Sequence, residues 1–146
     1  MASLLTEKIA VLGAIDPDAY ATGTQGTGYI DMKQFDQVAF VLLNGAMGSG
    51  AKVDFKLQEA KTNSGGSLQD LSGKAITQLT EAGTDGDKQA IVVVKAAELS
   101  EGYRYVRGVM TISVDAVDAG VVVLGGDPRY MPASDFDVST VDEIVS

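Results

Sequence analysis

Hydrophobic positions along this chain recur at every second residue or in short unbroken runs, and no long amphipathic helix is patterned beyond residue 28. In "AKVDFKLQEA", residues 51–60, Val53, Phe55 and Leu57 fall on one side, while Lys52, Asp54, Lys56 and Gln58 fall on the other. A period of two describes a strand with one buried and one wet face. "FDQVAFVLLNG", residues 35–45, is instead a nearly continuous apolar run closed by Asn44-Gly45. It predicts a strand buried on both faces or lying at a sheet centre. The short "NGAMGSG" connection predicts that these two strands pair as a hairpin.

The best-patterned stretch is "YRYVRGVMTISVD". Val106, Gly108, Met110, Ile112 and Val114 make an apolar face, and Tyr103, Tyr105, Arg107, Thr111 and Ser113 make a more polar one. Either the tyrosines and arginine stand outside as a docking patch of the residue types that dominate interfaces, or Gly108 is a bulge that flips the pleat and buries them. "AGVVVLGGD" supplies the last strand, expected to pair with the previous one through "DAVDAG". Shorter strands are expected at residues 74–79 and 89–95, loop tips at 62–67 and 81–87, and a helical turn or tight connection at 96–102. Seven or eight short strands with glycine-rich turns predict an all-β fold, an antiparallel β-sandwich or barrel, of which a jelly-roll-like sandwich is the expectation.

The ends read differently from the middle. Residues 15–28, "IDPDAYATGTQGTG", have the composition of an extended arm or ordered loop. Residues 132–146 combine four acids and no base with Phe136, Val138, Val141, Ile144 and Val145. Five apolar residues in an acidic tail predict packing on its own domain or on a neighbour, as in the arm exchange that builds oligomers. The organisation expected is an N-terminal arm over residues 1–27, a β-sandwich domain over 28–131 and an acidic C-terminal arm over 132–146.

Composition narrows the chemistry. The 146 residues suit one domain, and 45% hydrophobic with 21% charged residues is the balance of a chain that folds. Twenty Asp and Glu against eleven Lys and Arg leave a formal charge of −9. The bases are scattered singly, so no stripe exists to neutralise phosphates and no nucleic-acid partner is expected. No histidine and no cysteine occur, which removes the commonest general base, thiolate nucleophiles, zinc-thiolate sites and disulfides. Glu7 and Lys8 interrupt the first apolar run and no stretch reaches the length of a membrane span, so a chain synthesised in the host cytoplasm, with no membrane partner, is expected.

Two motifs invite a chemical reading. Gly125-Gly126 follows an apolar strand, as a phosphate-binding loop would, but "DPRYMPAS" after it carries two prolines where a helix would have to start. The glycines are expected to end the strand and turn the chain. "TDGDK" offers Asp85 and Asp87, yet "KQAIVV" supplies none of the further oxygen ligands and no late glutamate of a calcium loop, so a plain turn is expected. No catalytic residue, metal site or cofactor is expected, and the chain is read as not an enzyme.

The runs "GYIDMKQFDQVAFVLLNGAMGSGAKVDFKLQEA", "ITQLTEAG", "IVVVKAAELSEGYRYVRGVMTIS" and "VVVLGGDPRYMPA" resemble small structural proteins of tailed bacteriophages, over most of residues 28–133. The resemblance implies a capsid decoration, or cement, protein on the outer capsid surface of the virion, binding the major capsid protein and itself as a dimer or trimer. Candidate contact residues are then Tyr103, Tyr105 and Arg107, the "DPRY" turn with Asp127, Arg129 and Tyr130, and the tail residues Phe136, Val138, Val141 and Ile144. A head-to-tail or tail component and a carbohydrate-binding β-sandwich are the alternatives. The second is disfavoured by the lack of tryptophan and by 6% aromatics.

Overall fold

Alternating and β-branched sequence becomes strand over most of the molecule. In a computed structural model, which describes residues 3–146, ten strands follow one another: β1 Ile9–Tyr20, β2 Gly23–Gly26, β3 Ile30–Asp31, β4 Phe35–Met47, β5 Lys52–Ala60, β6 Gln69–Ala75, β7 Leu79–Thr80, β8 Gln89–Lys95, β9 Tyr105–Ser113 and β10 Val117–Pro128. The only helical segments among the described residues are short 3-10 turns at Leu5–Glu7, Ala96–Glu98 and Ala133–Phe136.

Every strand pairing is antiparallel. One sheet has the order β1-β10-β4-β8 and the other β2-β9-β5-β6. β3 continues the line of β2 along β9, and β7 continues that of β6 along β5. Each sheet therefore has four strand positions, filled alternately from the first four and the last four strand positions along the chain. That interleaving makes the all-β antiparallel sandwich a jelly roll, as the strand pattern predicts.

Sheet membership differs from the sequence expectation in two places. β4 pairs with β10 and β8, whereas β5 pairs with β9, β6 and β7. The link closed by Ala51 N–H to the Gly48 carbonyl (3.0 Å) carries the chain from one sheet to the other rather than round a hairpin. The physical reason is cover. Both strands own an apolar face, and only by crossing do Phe40 and Phe55 meet across the core, ring centroids 6.2 Å apart. β9 and β10 likewise lie in different sheets.

Two boundaries also move. Within residues 1–27, expected as an N-terminal arm, Ile9–Tyr20 form β1 and pair along β10, and Gly23–Gly26 pairs with β9. Ala10 and Ile15 of β1 are buried in the core, so the sandwich begins near residue 9. The strand expected at 74–79 is replaced by β6, which starts at Gln69, and by β7.

Glycine sets the spacing of the layers. β9 keeps an unbroken register with β5, so Gly108 is no bulge. A Cβ there would run into the Phe55 ring and come within 3.0 Å of Phe40 Cδ2. Gly125 is similar. It lies inside β10, which continues to Pro128, and a Cβ would sit 2.6 Å from Leu12 Cδ1 and 2.8 Å from Phe35 Cδ1. Gly125 serves close packing, and the glycine pair ends no strand. Phe35, Phe40, Phe55, Leu42, Leu57 and Met110 fill the space between the sheets, each buried large side chain contributing about 1.5–3 kcal/mol.

The outer strands of the four-stranded sheet are closed to further pairing at several points. On β8, the Val93 carbonyl accepts from Lys74 Nζ (2.9 Å), and the Lys95 N–H donates to Glu98 Oε1 (2.9 Å). On β1, the Val11 N–H donates to Asp137 Oδ1 (2.7 Å) and the Val11 carbonyl accepts from the Val138 N–H (2.8 Å). The distal half of β1 is irregular between Ile15 and Asp18 and carries Pro17. Proline, bulges and capped groups are the usual devices that blunt a sheet edge.

Candidate interaction surfaces

The wet face of β9 and the residues that lead into it place three of the expected contact residues together. Tyr103, Tyr105 and Arg107 stand half-buried on the outside of the six-stranded sheet. Arg107 lies over the Tyr29 ring at 5.3 Å and donates from Nε to Gln58 Oε1 (3.0 Å). Arg104 lies over Tyr105 at 5.2 Å and grips Asp31 with Nε and Nη2 (2.8 and 2.7 Å). Lys61 covers Tyr103, whose hydroxyl donates to the Ser67 carbonyl (3.0 Å). The two-pronged bond from Arg104 holds the Asp31 carboxyl below its ordinary pKa. These cations and rings are therefore held in one conformation, which lowers the entropy lost on docking.

The second group lies at the end of β10 and just after it. Asp127 accepts from Gln37 Nε2 (2.6 Å), and the Arg129 N–H donates to the Gln34 carbonyl (2.8 Å). Arg129 and Tyr130 are exposed, with Tyr130 at 64%. The 31–34 turn joins this group to the first, because Asp31 binds Arg104 while Gln34 binds Arg129.

The tail residues divide. Phe136 packs edge-on against Phe35, centroids 5.7 Å apart, and Ala133 is fully buried. Val138 is bonded to β1, and Val141 is half-buried with its N–H on the Val138 carbonyl (3.0 Å). The first part of the tail thus packs on its own domain. Ile144 and Val145 remain exposed, at 45% and 84%.

A buried carboxylate holds the loop that leads to Tyr103. Glu59 on β5 is 2% exposed and accepts from the Ser100 N–H (2.9 Å), the Ser100 hydroxyl and Gln69 Nε2 (2.6 Å). Burial alone would raise its pKa, but these bonds to the ionised form outweigh it and hold the group below the usual 4.5.

An open apolar surface belongs to residues outside the sequence-derived set. On β4 the residues between the core positions Val38, Phe40 and Leu42 are Ala39, Val41 and Leu43, which face outward. Register places Ala14, Val122, Val41 and Ile91 in one row across the four strands, and Val11, Leu124, Ala39 and Val93 in the next. Ile91 is 63% exposed and Leu43 49%. Beside these rows an open groove of about 640 Å³ is lined by Ala14, Pro17, Ala19, Leu43, Gly120 and Val122, with Asp18 and Asp118 at its margin. The signal for this face was the loss of alternation in residues 38–43 and 91–94, where both parities are apolar.

The described residues hold no cluster of three or more carboxylates or other metal-ligating side chains suited to a metal ion. They also include no helix long and apolar enough to cross a membrane.

No protein-family model matches the chain, and no curated protein matches it in sequence. Among solved structures, the chain is similar to a chain of infectious bursal disease virus Gx strain, with TM-score 0.48 and 10% identity over 87% of this chain and 35% of that one. It is similar to a chain of Triatoma virus, with TM-score 0.45 and 8% identity over 88% and 68%. A third likeness is to broad bean stain virus, with TM-score 0.42 and 10% identity over 86% and 87%. The chain spans about a third of the bursal disease virus chain, and no function follows from similarity at this level.

Proposed function

We propose that the chain is a structural subunit of a virus particle, a capsid decoration protein that binds the outer surface of the major capsid protein shell of a tailed bacteriophage. The observation that carries the proposal is the apolar outer face of the four-stranded sheet. Two parities of apolar residues on β4, β8 and β10 make a sheet suited to cover on both sides, and one side is open. Exposed apolar surface of this kind marks protein association. The sequence resemblance over residues 28–133 supplies the phage assignment, and the preformed Tyr103, Tyr105 and Arg107 cluster offers a second contact region.

The mechanism is mechanical and has no catalytic step or cofactor. Each copy adds contacts across a joint between shell subunits, and weak contacts repeated over a symmetric shell add through effective concentration. Pelleting purified protein with undecorated shells tests this. Many copies per shell and a higher shell melting temperature are expected, whereas protein left in the supernatant refutes the proposal. Labelling confined to one vertex would replace it with a head-to-tail role.

A further inference from the structure

The groove on the outer face of the four-stranded sheet has a shape and a charge that together specify an occupant. Its floor lacks side-chain bulk for a local reason. At Gly120 a Cβ would sit 3.1 Å from Pro17 Cα and 3.3 Å from the Ile15 carbonyl oxygen, so the irregular half of β1 is drawn over β10 only because residue 120 is glycine. At Gly45 a Cβ would meet the Asp118 carbonyl oxygen at 3.0 Å, which keeps the neighbouring wall low. Leu43, Val122 and Pro17 form apolar sides, and the volume falls within the range of roughly 300–1,000 Å³ seen for ligand sites.

Carboxylates surround this end of the sheet. Asp18 and Asp118 stand at the groove margin, and Asp16 precedes them on β1. Asp85 and Asp87 lie on the turn bound to Asn44 and Gly45, through Asn44 Nδ2 to the Asp85 carbonyl (2.8 Å) and the Asp87 N–H to the Gly45 carbonyl (3.1 Å). Lys88 pairs with Asp85 at 3.1 Å, which leaves Asp16, Asp18, Asp87 and Asp118 without an ion-pair partner among the described residues. An apolar slot with an uncompensated acidic rim favours a partner that is apolar at its centre and basic at its flanks.

We infer that the groove seats a short apolar segment of another protein, with branched aliphatic side chains against Leu43 and Val122 and lysine or arginine opposite Asp18 and Asp118. Under the decoration reading, on which the identity of the partner rests, that segment belongs to the shell subunit. A second copy of this chain is a poor occupant. Its free apolar residues, Ile144 and Val145, follow Asp142 and Glu143, which the rim repels.

Two synthetic peptides of one apolar core, one flanked by lysines and the other by glutamates, are titrated into the full-length protein while its amide resonances are followed. The lysine peptide is expected to shift Leu43, Gly120 and Val122, to bind at least tenfold tighter than the glutamate peptide, and to weaken as salt shortens the screening length. Leu43→Lys and Asp18→Lys, both at exposed positions, should each weaken it tenfold or more while leaving the remaining spectrum in place. Equal binding of the two peptides, shifts confined to the Tyr105 face, or no shift at millimolar peptide would overturn the inference. Shell pelleting separates the two readings. Wild type and Leu43→Lys pelleting alike refutes the groove and keeps decoration, while peptide binding without pelleting refutes decoration and keeps the groove.

Discussion

Gly108 is the position where a single methyl group should cost most for its size. It lies mid-sheet on β9 between the fully buried rings of Phe55 and Phe40, and an added Cβ enters the Phe55 ring and reaches 3.0 Å from Phe40 Cδ2. Neither ring has a free side to retreat to. Replacing glycine by alanine in a strand ordinarily gains about 0.5–1 kcal/mol through backbone entropy, but overpacking a tight core costs about 1–3 kcal/mol. Gly108→Ala should therefore lose roughly 1–2 kcal/mol net, a fall in melting temperature of about 2–8 °C for a chain of this size. Gly26, on the neighbouring β2, is the control. Its nearest atoms to an added Cβ are 3.7 and 3.8 Å away and its φ is not left-handed, so Gly26→Ala should be neutral or stabilising. Urea unfolding followed by circular dichroism reads both, and Phe55→Leu in the Gly108→Ala background should recover part of the loss as a coupling energy. Equal midpoints for Gly108→Ala and Gly26→Ala would refute the packing argument.

The remaining predictions concern the loop and the tail. Because the Glu59 pKa is lowered by folding, its ionised form stabilises the protein above the unfolded-state value, and that stability is lost as pH falls below about 4.5 and through the folded value. Glu59→Gln should cost about 1–3 kcal/mol at neutral pH and flatten the acid limb of a melting-temperature profile, and an acid limb identical to wild type would contradict this. Phe136→Ala removes the edge-on contact with Phe35 and should destabilise by roughly 1–3 kcal/mol. Hydrogen exchange should then quicken at the Val11 and Val138 amides, while unchanged protection there would show that the tail is held by other contacts.

Legibility from sequence tracked the local periodicity. β5 and β9 alternate cleanly, so their buried faces could be read from Val53 to Leu57 and from Val106 to Ile112, with Gly108 in its place on the apolar side, whereas Val114, expected on the same face, lies past the end of β9 and is exposed. β4 announced its central position through the unbroken run at 38–43, which also contained the signal for the open apolar face. What could not be read was which strand joins which sheet. The 48–51 link has the composition of a hairpin turn, and only the need to oppose Phe40 and Phe55 across a core makes it a crossover. β1 escaped notice because Gly13, Pro17 and the acids Asp16 and Asp18 dilute its pattern, while its edge position tolerates the irregularity they cause. Gly125 and Gly120 look like turn residues in sequence, and only neighbouring strands show that the space for a side chain is already taken. The polar cluster at Tyr103, Tyr105 and Arg107 was visible, but Arg104 and Asp31, which lock it, are far apart in the chain.

The capped edges have a consequence for how the molecule behaves in a crowded solution. Lys74 and Glu98 occupy main-chain groups of β8, and Asp137 and Val138 occupy those of β1. A colliding molecule finds no continuous ladder to extend, so raising the concentration does not seed fibre growth along these borders. At this sheet, encounters that last are those made broadside, where side-chain shape and charge discriminate between surfaces and backbone pairing does not.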